Sequence, residues 1–267
     1  MIDEILKRIK QLPPLPESAM QIEAVYQDPD SSFNDMVKIL EKDPLLTADI
    51  LKAANSPLYG FSREINAISQ AVGLFGMGTV RGFALASIVK KSFSLDLSAY
   101  GISNENFSAL SKKLHGLTTA WCLKKENKLL GVLSPAAFLV EIGKVLIAQE
   151  IMDNDKSQDF QNKIAELGDV AAAEREVTGI DTATVSATMF AQWKFEEGLI
   201  EVIKNCQEPT NAKEEHQRAA SILHVVRTSV LLDGTITDES VAAAKELIIK
   251  YGLDMPSYET AIENARL

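Results

Sequence analysis

Residues 32–55 read SFNDMVKILEKDPLLTADILKAAN, and this stretch decides the class of fold. Ser32 followed by Asp35 is a capping-box arrangement, with Asp in place of the usual Glu or Gln, which starts an α-helix. Asp43 then provides an N-cap, and Pro44 a first helical residue, for a second helix. Apolar residues recur at three- and four-residue spacing in both segments, which predicts two consecutive amphipathic helices. These apolar positions are Phe33, Met36, Val37, Leu40, Leu46, Ile50, Ala53 and Ala54.

Apolar residues also recur at helical spacing upstream and downstream of residues 32–55. Upstream, the sequence predicts an opening helix that the prolines of residues 13–16 end, and a second helix before Asp28-Pro29. No alternating apolar and polar run flanked by hairpin signals predicts a sheet. The predicted fold class is therefore all-α, a multi-helix bundle without significant β-sheet. Downstream, we predict a short glycine-stopped helix after Ser69 and further helices near 79–93, 105–126, 135–152, 157–167, 169–178, 182–194, 196–206, 213–232, 238–251 and 256–266.

Composition and charge narrow the class of protein. The 267 residues are 46% apolar and 24% charged, as in ordinary globular proteins. A formal net charge of −10 disfavours DNA and membrane surfaces as partners, because both are anionic. No apolar stretch is expected to reach the length of a membrane span, and the N-terminus lacks the apolar core of a signal peptide. Two distant cysteines, Cys122 and Cys206, fit a reducing compartment, so we predict a cytoplasmic protein without membrane insertion.

The familiar catalytic and cofactor motifs are not supported. Gly73, Gly76, Gly78 and Gly82 cluster, but they lack the Gly-Lys-Ser/Thr of a phosphate-binding loop and the strand of a dinucleotide fingerprint. A tight helix–helix junction is the favoured interpretation of the glycines. The three histidines, His115, His216 and His224, do not have metal-binding spacing, and His224 lies in an apolar run typical of a hydrogen-bonded core histidine. We assign no catalytic residue, no cofactor and no metal ligand.

Glu141 stands in the apolar run 138–146, where an unpartnered carboxylate would carry a large desolvation cost. Lys144 follows three residues later on the same helical face and is the predicted partner. A structural ion pair and a functional site are both compatible with this pattern.

Six blocks of sequence stand in order along the chain: LPPLP (12–16), DP (28–29), ILEKDPLL (39–46), LKAANSPLYG (51–60), ISQAVGLFG (68–76) and EIGK (141–144). Taken together, they resemble the HDOD domain family over about residues 5–207. That resemblance implies an HD-domain-like bundle with a helical subdomain at about 1–95 and an HD-like subdomain at about 103–207. Residues 208–267, after a polar, proline-bearing boundary, are predicted to form a helical extension packed on the main body.

The related HD-domain phosphohydrolases hold divalent metal through a His, a His-Asp pair and a further Asp. His115 matches the first histidine of that set. Val140-Glu141 replaces the His-Asp pair, Thr182 stands where a histidine is common, and Asn205-Cys206 stands where relatives often have two histidines. Because valine cannot ligate metal, the comparison implies that the site is lost, together with hydrolysis of this type.

The resemblance implies a non-catalytic module of bacterial signal transduction that acts through signalling proteins, with a small nucleotide as a candidate ligand and a homo-oligomer as a candidate assembly. The candidate interaction surface is Asn55, Ser56, Tyr59 and Gly60, although Asn55 and Ser56 would also suit a purely structural helix end. The candidate remnants of the metal site are His115, Glu141 and Lys144.

Two alternatives stay open. One is a divergent metal-dependent phosphohydrolase that uses His115, Glu141 and other carboxylates in a rebuilt site. The other is a structural scaffold or a nucleic-acid regulator, and the acidic charge disfavours the regulator.

Overall fold

The computed structural model describes residues 1–56, 59, 63–91 and 95–266, and these residues confirm the all-α prediction. The described residues contain no β-strand. Their α-helices are α1 (Ile2–Lys10), α2 (Glu17–Gln27), α3 (Phe33–Glu41), α4 (Pro44–Ala54), α5 (Ile68–Lys91), α6 (Asn104–Cys122), α7 (Leu130–Leu139), α8 (Lys144–Asp153), α9 (Ser157–Leu167), α10 (Val170–Thr178), α11 (Thr182–Gln192), α12 (Glu197–Lys204), α13 (Glu214–Ser229), α14 (Asp238–Tyr251) and α15 (Met255–Arg266).

The predicted caps set the start of α3 and α4. The Asp35 carboxylate accepts hydrogen bonds from the Ser32 backbone N–H at 3.0 Å and from the Ser32 hydroxyl at 2.6 Å. The Asp43 carboxylate accepts from the N–H groups of Leu45 and Leu46, both at 3.0 Å. These bonds satisfy N–H groups that the first turn of a helix cannot satisfy internally.

Two of the four clustered glycines, Gly78 and Gly82, form the predicted helix junction, whereas Gly73 and Gly76 do not. Gly76 has φ +78° and ψ 163° and divides α5 into a short and a long helical part. A Cβ on Gly82 would lie 2.8 Å from the Ser134 hydroxyl oxygen, and one on Gly78 would lie 2.6 Å from the Cα of Gly131. These two glycines therefore permit the close crossing of α5 and α7.

The single helix predicted over 135–152 is wrong. The helical bonding breaks at residues 140–143, between α7 and α8. The Ser186 hydroxyl, on α11, donates to the carbonyl oxygen of Val140 at 2.7 Å and accepts from the N–H of Gly143 at 2.9 Å. A Cβ on Gly143 would lie 2.7 Å from the Thr182 carbonyl oxygen, so a residue without a side chain lets this turn press against α11. The apolar periodicity could not show the break because both sides of the turn are buried.

Arg81 ties the N-terminal helices to α12. Its fully buried guanidinium donates to both carboxylate oxygens of Glu23, at 2.6 and 2.8 Å, and to Glu196 at 2.7 Å, and it stacks 4.1 Å above the Tyr26 ring. Such a planar, bidentate geometry suits arginine and not lysine.

The C-terminal helices contact α6. The Trp121 indole N–H donates to the carbonyl oxygen of Asp254 at 2.9 Å, and the Trp121 ring meets the buried Tyr258 ring edge to face at 5.2 Å. The division of the chain at about residues 95–103 and at 208 stays a prediction.

Two helical segments, Ile68–Val89 and Asn127–Asp153, are long and apolar enough to cross a membrane by length and composition. This corrects the expectation that no apolar stretch reaches such a length. The share of the apolar window that lies buried inside the bundle is 61% for the first and 83% for the second, as in core helices of soluble proteins. The cytoplasmic location stays a prediction.

Candidate functional site

His115 is fully buried on α6 and has both ring nitrogens occupied. Nδ1 is hydrogen-bonded to the Tyr59 hydroxyl, and Nε2 lies 2.7 Å from the Ser134 hydroxyl oxygen. The ring also stacks on Phe138 with centroids 3.9 Å apart. These bonds are all satisfied when Tyr59 donates to Nδ1 and Nε2–H donates to Ser134, which then donates to the carbonyl oxygen of Thr79 at 3.5 Å.

Burial lowers the pKa of His115 from 6.5 to about 3, so the ring is neutral at neutral pH. A neutral histidine can ligate metal only through a free lone pair, and here the single acceptor nitrogen is used by Tyr59. The described surroundings of His115 therefore suit a core histidine that anchors Tyr59.

Glu141 lies in the turn between α7 and α8 and pairs with Arg227 of α13. The Arg227 Nε–H donates to Glu141 Oε1 at 2.6 Å, and Arg227 Nη1 lies 3.3 Å from the Sγ of Cys206. Burial alone would raise the pKa of Glu141, but the neighbouring Arg227 and Lys144 cations lower it to about 2. Glu141 is therefore a carboxylate at neutral pH with a fixed organic cation beside it.

Lys144 forms the predicted pair with Glu141, at 3.0 Å, and a second pair with the buried Glu174 at 2.9 Å. Burial would lower the pKa of Lys144, but these two carboxylates raise it, so the ammonium stays charged. Glu174 also accepts from the Tyr100 hydroxyl at 2.8 Å and from the N–H and hydroxyl of Thr182, both at 2.6 Å. Every charge of this network has an opposite charge within hydrogen-bond distance.

The positions compared with metal ligands are thus distributed over two networks. His115 contacts Tyr59, Ser134 and Phe138, whereas Glu141 and Cys206 both contact Arg227. Thr182 bonds to Glu174 and Lys144. No group of three or more His, Cys, Asp or Glu side chains within the described residues is arranged to hold a metal ion.

A polar cavity of about 480 Å³ opens onto the Glu141 network. Three basic side chains line it, and each already has an acidic partner: Lys144 with Glu141 and Glu174, Arg175 with Asp181, and Arg227 with Glu141. His224 also lines this cavity, half-buried and 3.0 Å from the Tyr251 hydroxyl, so its predicted hydrogen bond is present although it is not a fully buried core residue.

A second cavity, of about 590 Å³, has Tyr59 and Phe138 among its lining residues. Three predicted interaction residues line it: Asn55, Ser56 and Tyr59. The Asn55 amide also bonds to the carbonyl oxygens of Leu51 and Ile65, at 2.9 and 2.8 Å, and accepts from the N–H of Ile65 at 2.8 Å. Asn55 therefore holds the backbone of Ile65 beside the C-terminal end of α4. The fourth predicted residue, Gly60, lies outside the described residues.

Sequence reasoning missed Arg227, Glu174 and Tyr100. Arg227 stands 86 residues after Glu141, in the extension that the family resemblance did not cover, so no local spacing could join the two. A partial signal was present, since Arg227 directly follows the apolar run 222–226 and a cation next to a buried face requires a partner.

The family model for the HDOD domain matches residues 12–209. An uncharacterised protein from Treponema pallidum is 33% identical over 73 residues, a match that spans 27% of this chain and 14% of that protein.

Three solved structures are similar over nearly the whole chain. A virulence factor from Campylobacter jejuni is 26% identical, with TM-score 0.60 and coverage of 100% of this chain and 99% of its own. A protein from Shewanella amazonensis, described as a candidate phosphohydrolase, is 23% identical with TM-score 0.68 and coverage of 98% and 95%. A candidate signal-transduction protein from Marinobacter aquaeolei is 20% identical with TM-score 0.70 and coverage of 99% and 62%. Because the HDOD match covers more than half of the sequence, this chain belongs to the HDOD domain family.

Proposed function

We propose that this chain is a non-catalytic regulatory module of bacterial signal transduction that acts by binding protein partners. The observation that carries the proposal is the buried contact between Glu141 and Arg227, with Cys206 on the same guanidinium. Glu141 and Cys206, two positions compared with metal ligands, therefore both contact the guanidinium of Arg227.

Hydrolysis of the HD type needs a metal ion that polarises the phosphate and lowers the pKa of a bound water. A guanidinium carries positive charge but has no vacant coordination position for water. Arg227 therefore neutralises Glu141 without supplying a nucleophile. His115 also supports the absence of hydrolysis, because it is neutral and both of its ring nitrogens are hydrogen-bonded within the chain. A regulatory role also agrees with the name of the Marinobacter aquaeolei neighbour.

Metal content and hydrolysis test the non-catalytic half of the proposal. Protein purified without chelator should contain no stoichiometric transition metal by mass spectrometry. It should not hydrolyse bis(p-nitrophenyl) phosphate with added Mn²⁺, Mg²⁺ or Fe²⁺. A tightly held ion, or turnover that the Glu141→Gln substitution abolishes, would instead favour the divergent phosphohydrolase, the activity named for the Shewanella amazonensis neighbour.

Affinity capture from cells, followed by reconstitution with the purified candidate, tests the partner half. A genuine partner should bind the purified full chain with a defined stoichiometry. Failure of every captured protein to bind after purification would contradict the proposal.

A further inference from the structure

Residues of four helices line the 590 Å³ cavity, together with Asn55, Ser56 and Tyr59 after α4. Its walls come from α4, α5, α6 and α7, so it lies where the N-terminal helices meet the HD-like helices. Pockets that hold small molecules in proteins have volumes of about 300–1,000 Å³ and combine apolar walls with a few polar groups. The size of this cavity falls within that range.

The floor of the cavity is aromatic and held in place. Phe83 meets Phe138 edge to face with ring centroids 5.6 Å apart, and it meets Tyr59 in the same manner at 5.9 Å. Tyr59 is fixed in turn by its bond to the buried His115. These contacts make a preformed apolar surface that can take a flat or an aliphatic body.

The rim of the cavity is basic. Among the described residues that line it, Lys52, Lys91 and Lys112 are basic and Asp49 is acidic, a net charge of +2 in a chain whose net charge is −10. Lys91 pairs with Asp49 at 2.7 Å. Lys52 and Lys112 form no salt bridge with any described residue. Two ammonium groups are therefore available beside an apolar floor.

Ser56 is a further polar lining residue, and its hydroxyl can donate to an anionic oxygen. Asn55 and Ser111 also line the cavity, but the Asn55 amide already donates to the carbonyl oxygens of Leu51 and Ile65, and the Ser111 hydroxyl donates to the carbonyl oxygen of Phe107 at 3.2 Å. The polar cavity beside Glu141 has no such unpaired lysines among its described residues, because each of the three basic side chains that line it already has a carboxylate partner.

We infer that this cavity binds a small organic anion that has an apolar body and one carboxylate or phosphate group. The body would lie against Phe83 and Phe138, and the anionic group would lie near Lys52 and Lys112. Such a ligand would contact α4 and α6 together, so binding would stabilise the junction of the two groups of helices. The inference goes beyond partner binding and is tested on the purified chain without a partner.

Calorimetry with a matched pair of probes tests the ligand class. 1-Naphthoate should bind, and its neutral counterpart 1-naphthylmethanol should bind more weakly by about fivefold, the contribution of a partly exposed ion pair. The difference should shrink as ionic strength rises, because salt screens the lysines. Decanoate and adenosine monophosphate, measured in parallel, distinguish an aliphatic carboxylate from a nucleotide. Equal affinity for the acid and the alcohol would overturn the anionic part of the inference.

Substitutions test the location. The double variant Lys52→Gln, Lys112→Gln should lose about fivefold or more in affinity for 1-naphthoate but not for 1-naphthylmethanol. The matched control, Lys10→Gln with Lys204→Gln, removes two exposed lysines that do not line this cavity and should bind as the wild type. Filling the cavity with Ala86→Phe or, on another helix, Ser111→Phe should abolish binding of both probes. If a filled variant with an unchanged unfolding transition still binds, the cavity is not the site.

Discussion

The Nε of Arg227 lies 2.6 Å from the Oε1 of Glu141, and this bond joins the C-terminal extension to the turn between α7 and α8. Both side chains are largely buried, with relative exposures of 13% and 6%. A buried pair of this kind contributes less to stability than its geometry suggests, because desolvation opposes the attraction. Loss of only one partner is nevertheless costly, since it leaves the other charge buried and uncompensated.

Arg227→Met should lower the free energy of unfolding by about 3–5 kcal/mol, because Glu141 then keeps Lys144 alone as its cation. Urea denaturation followed by circular dichroism measures this change. The double variant Glu141→Met, Arg227→Met should recover most of the loss. Arg218→Met is the matched control, because Arg218 lies on the same helix but pairs with Glu126 near the surface and should cost no more than about 1 kcal/mol. Equal losses for Arg227→Met and Arg218→Met would contradict the interpretation.

Tyr59→Phe should destabilise the chain by about 1–3 kcal/mol, because it leaves the buried Nδ1 of His115 without a hydrogen-bond partner. Tyr251→Phe removes the equivalent hydroxyl from His224, which is half-buried and can bond to water instead. The second substitution should therefore cost distinctly less in the same thermal or urea unfolding measurement. The reverse order would show that the bond between Tyr59 and His115 is not important for stability.

Glu174→Gln should also be strongly destabilising, by about 2–4 kcal/mol. The neutral amide cannot compensate the charge of Lys144, and its NH₂ group would face donors whose hydrogen bonds the carboxylate accepts. Glu176→Gln, on the same helix, alters an exposed pair with Lys163 and should change stability by less than about 1 kcal/mol. Differential scanning calorimetry compares the two. A small loss for Glu174→Gln would mean that Glu141 alone is sufficient to compensate the Lys144 ammonium.

Stability should decrease as the pH falls from 6.5 to about 3. The pKa of His115 is about 3 in the folded chain against 6.5 for an exposed histidine, so the unfolded chain binds more protons in this window. Acid therefore favours unfolding, by up to about 1.4 kcal/mol per pH unit for one such group. Glu141, with a folded pKa of about 2 against 4.5, adds a loss of the same sign only below pH 4.5.

Urea unfolding of wild type and His115→Gln between pH 6.5 and 4.5 measures the histidine contribution, because Glu141 contributes little in that window. The slope of stability against pH should be smaller in the variant. The remaining slope includes His224, whose pKa burial and nearby cations lower to about 4. An unchanged slope would show that His115 is not a buried neutral base.

The sequence determined the fold class because local signals were strong and agreed with one another. Capping residues at Ser32 and Asp43, helical apolar spacing and the absence of strand patterns all predict helices without reference to distant residues. The pair of Glu141 and Lys144 was also predictable, since three residues separate them on one face.

Only the tertiary structure decided which distant side chains pair with Glu141 and Lys144. Arg227 reaches Glu141 across 86 residues, and Glu174 reaches Lys144 across 30, so neither contact leaves a periodic trace in the sequence. The turn at residues 140–143 was likewise not predictable, because it depends on a distant residue. Ser186 of α11 bonds to the Val140 carbonyl and the Gly143 N–H, which are not paired within a helix. Local hydrogen bonding and periodicity fix helices, whereas the partner of a buried charge is chosen by whichever opposite charge the packing of the helices brings within bonding distance.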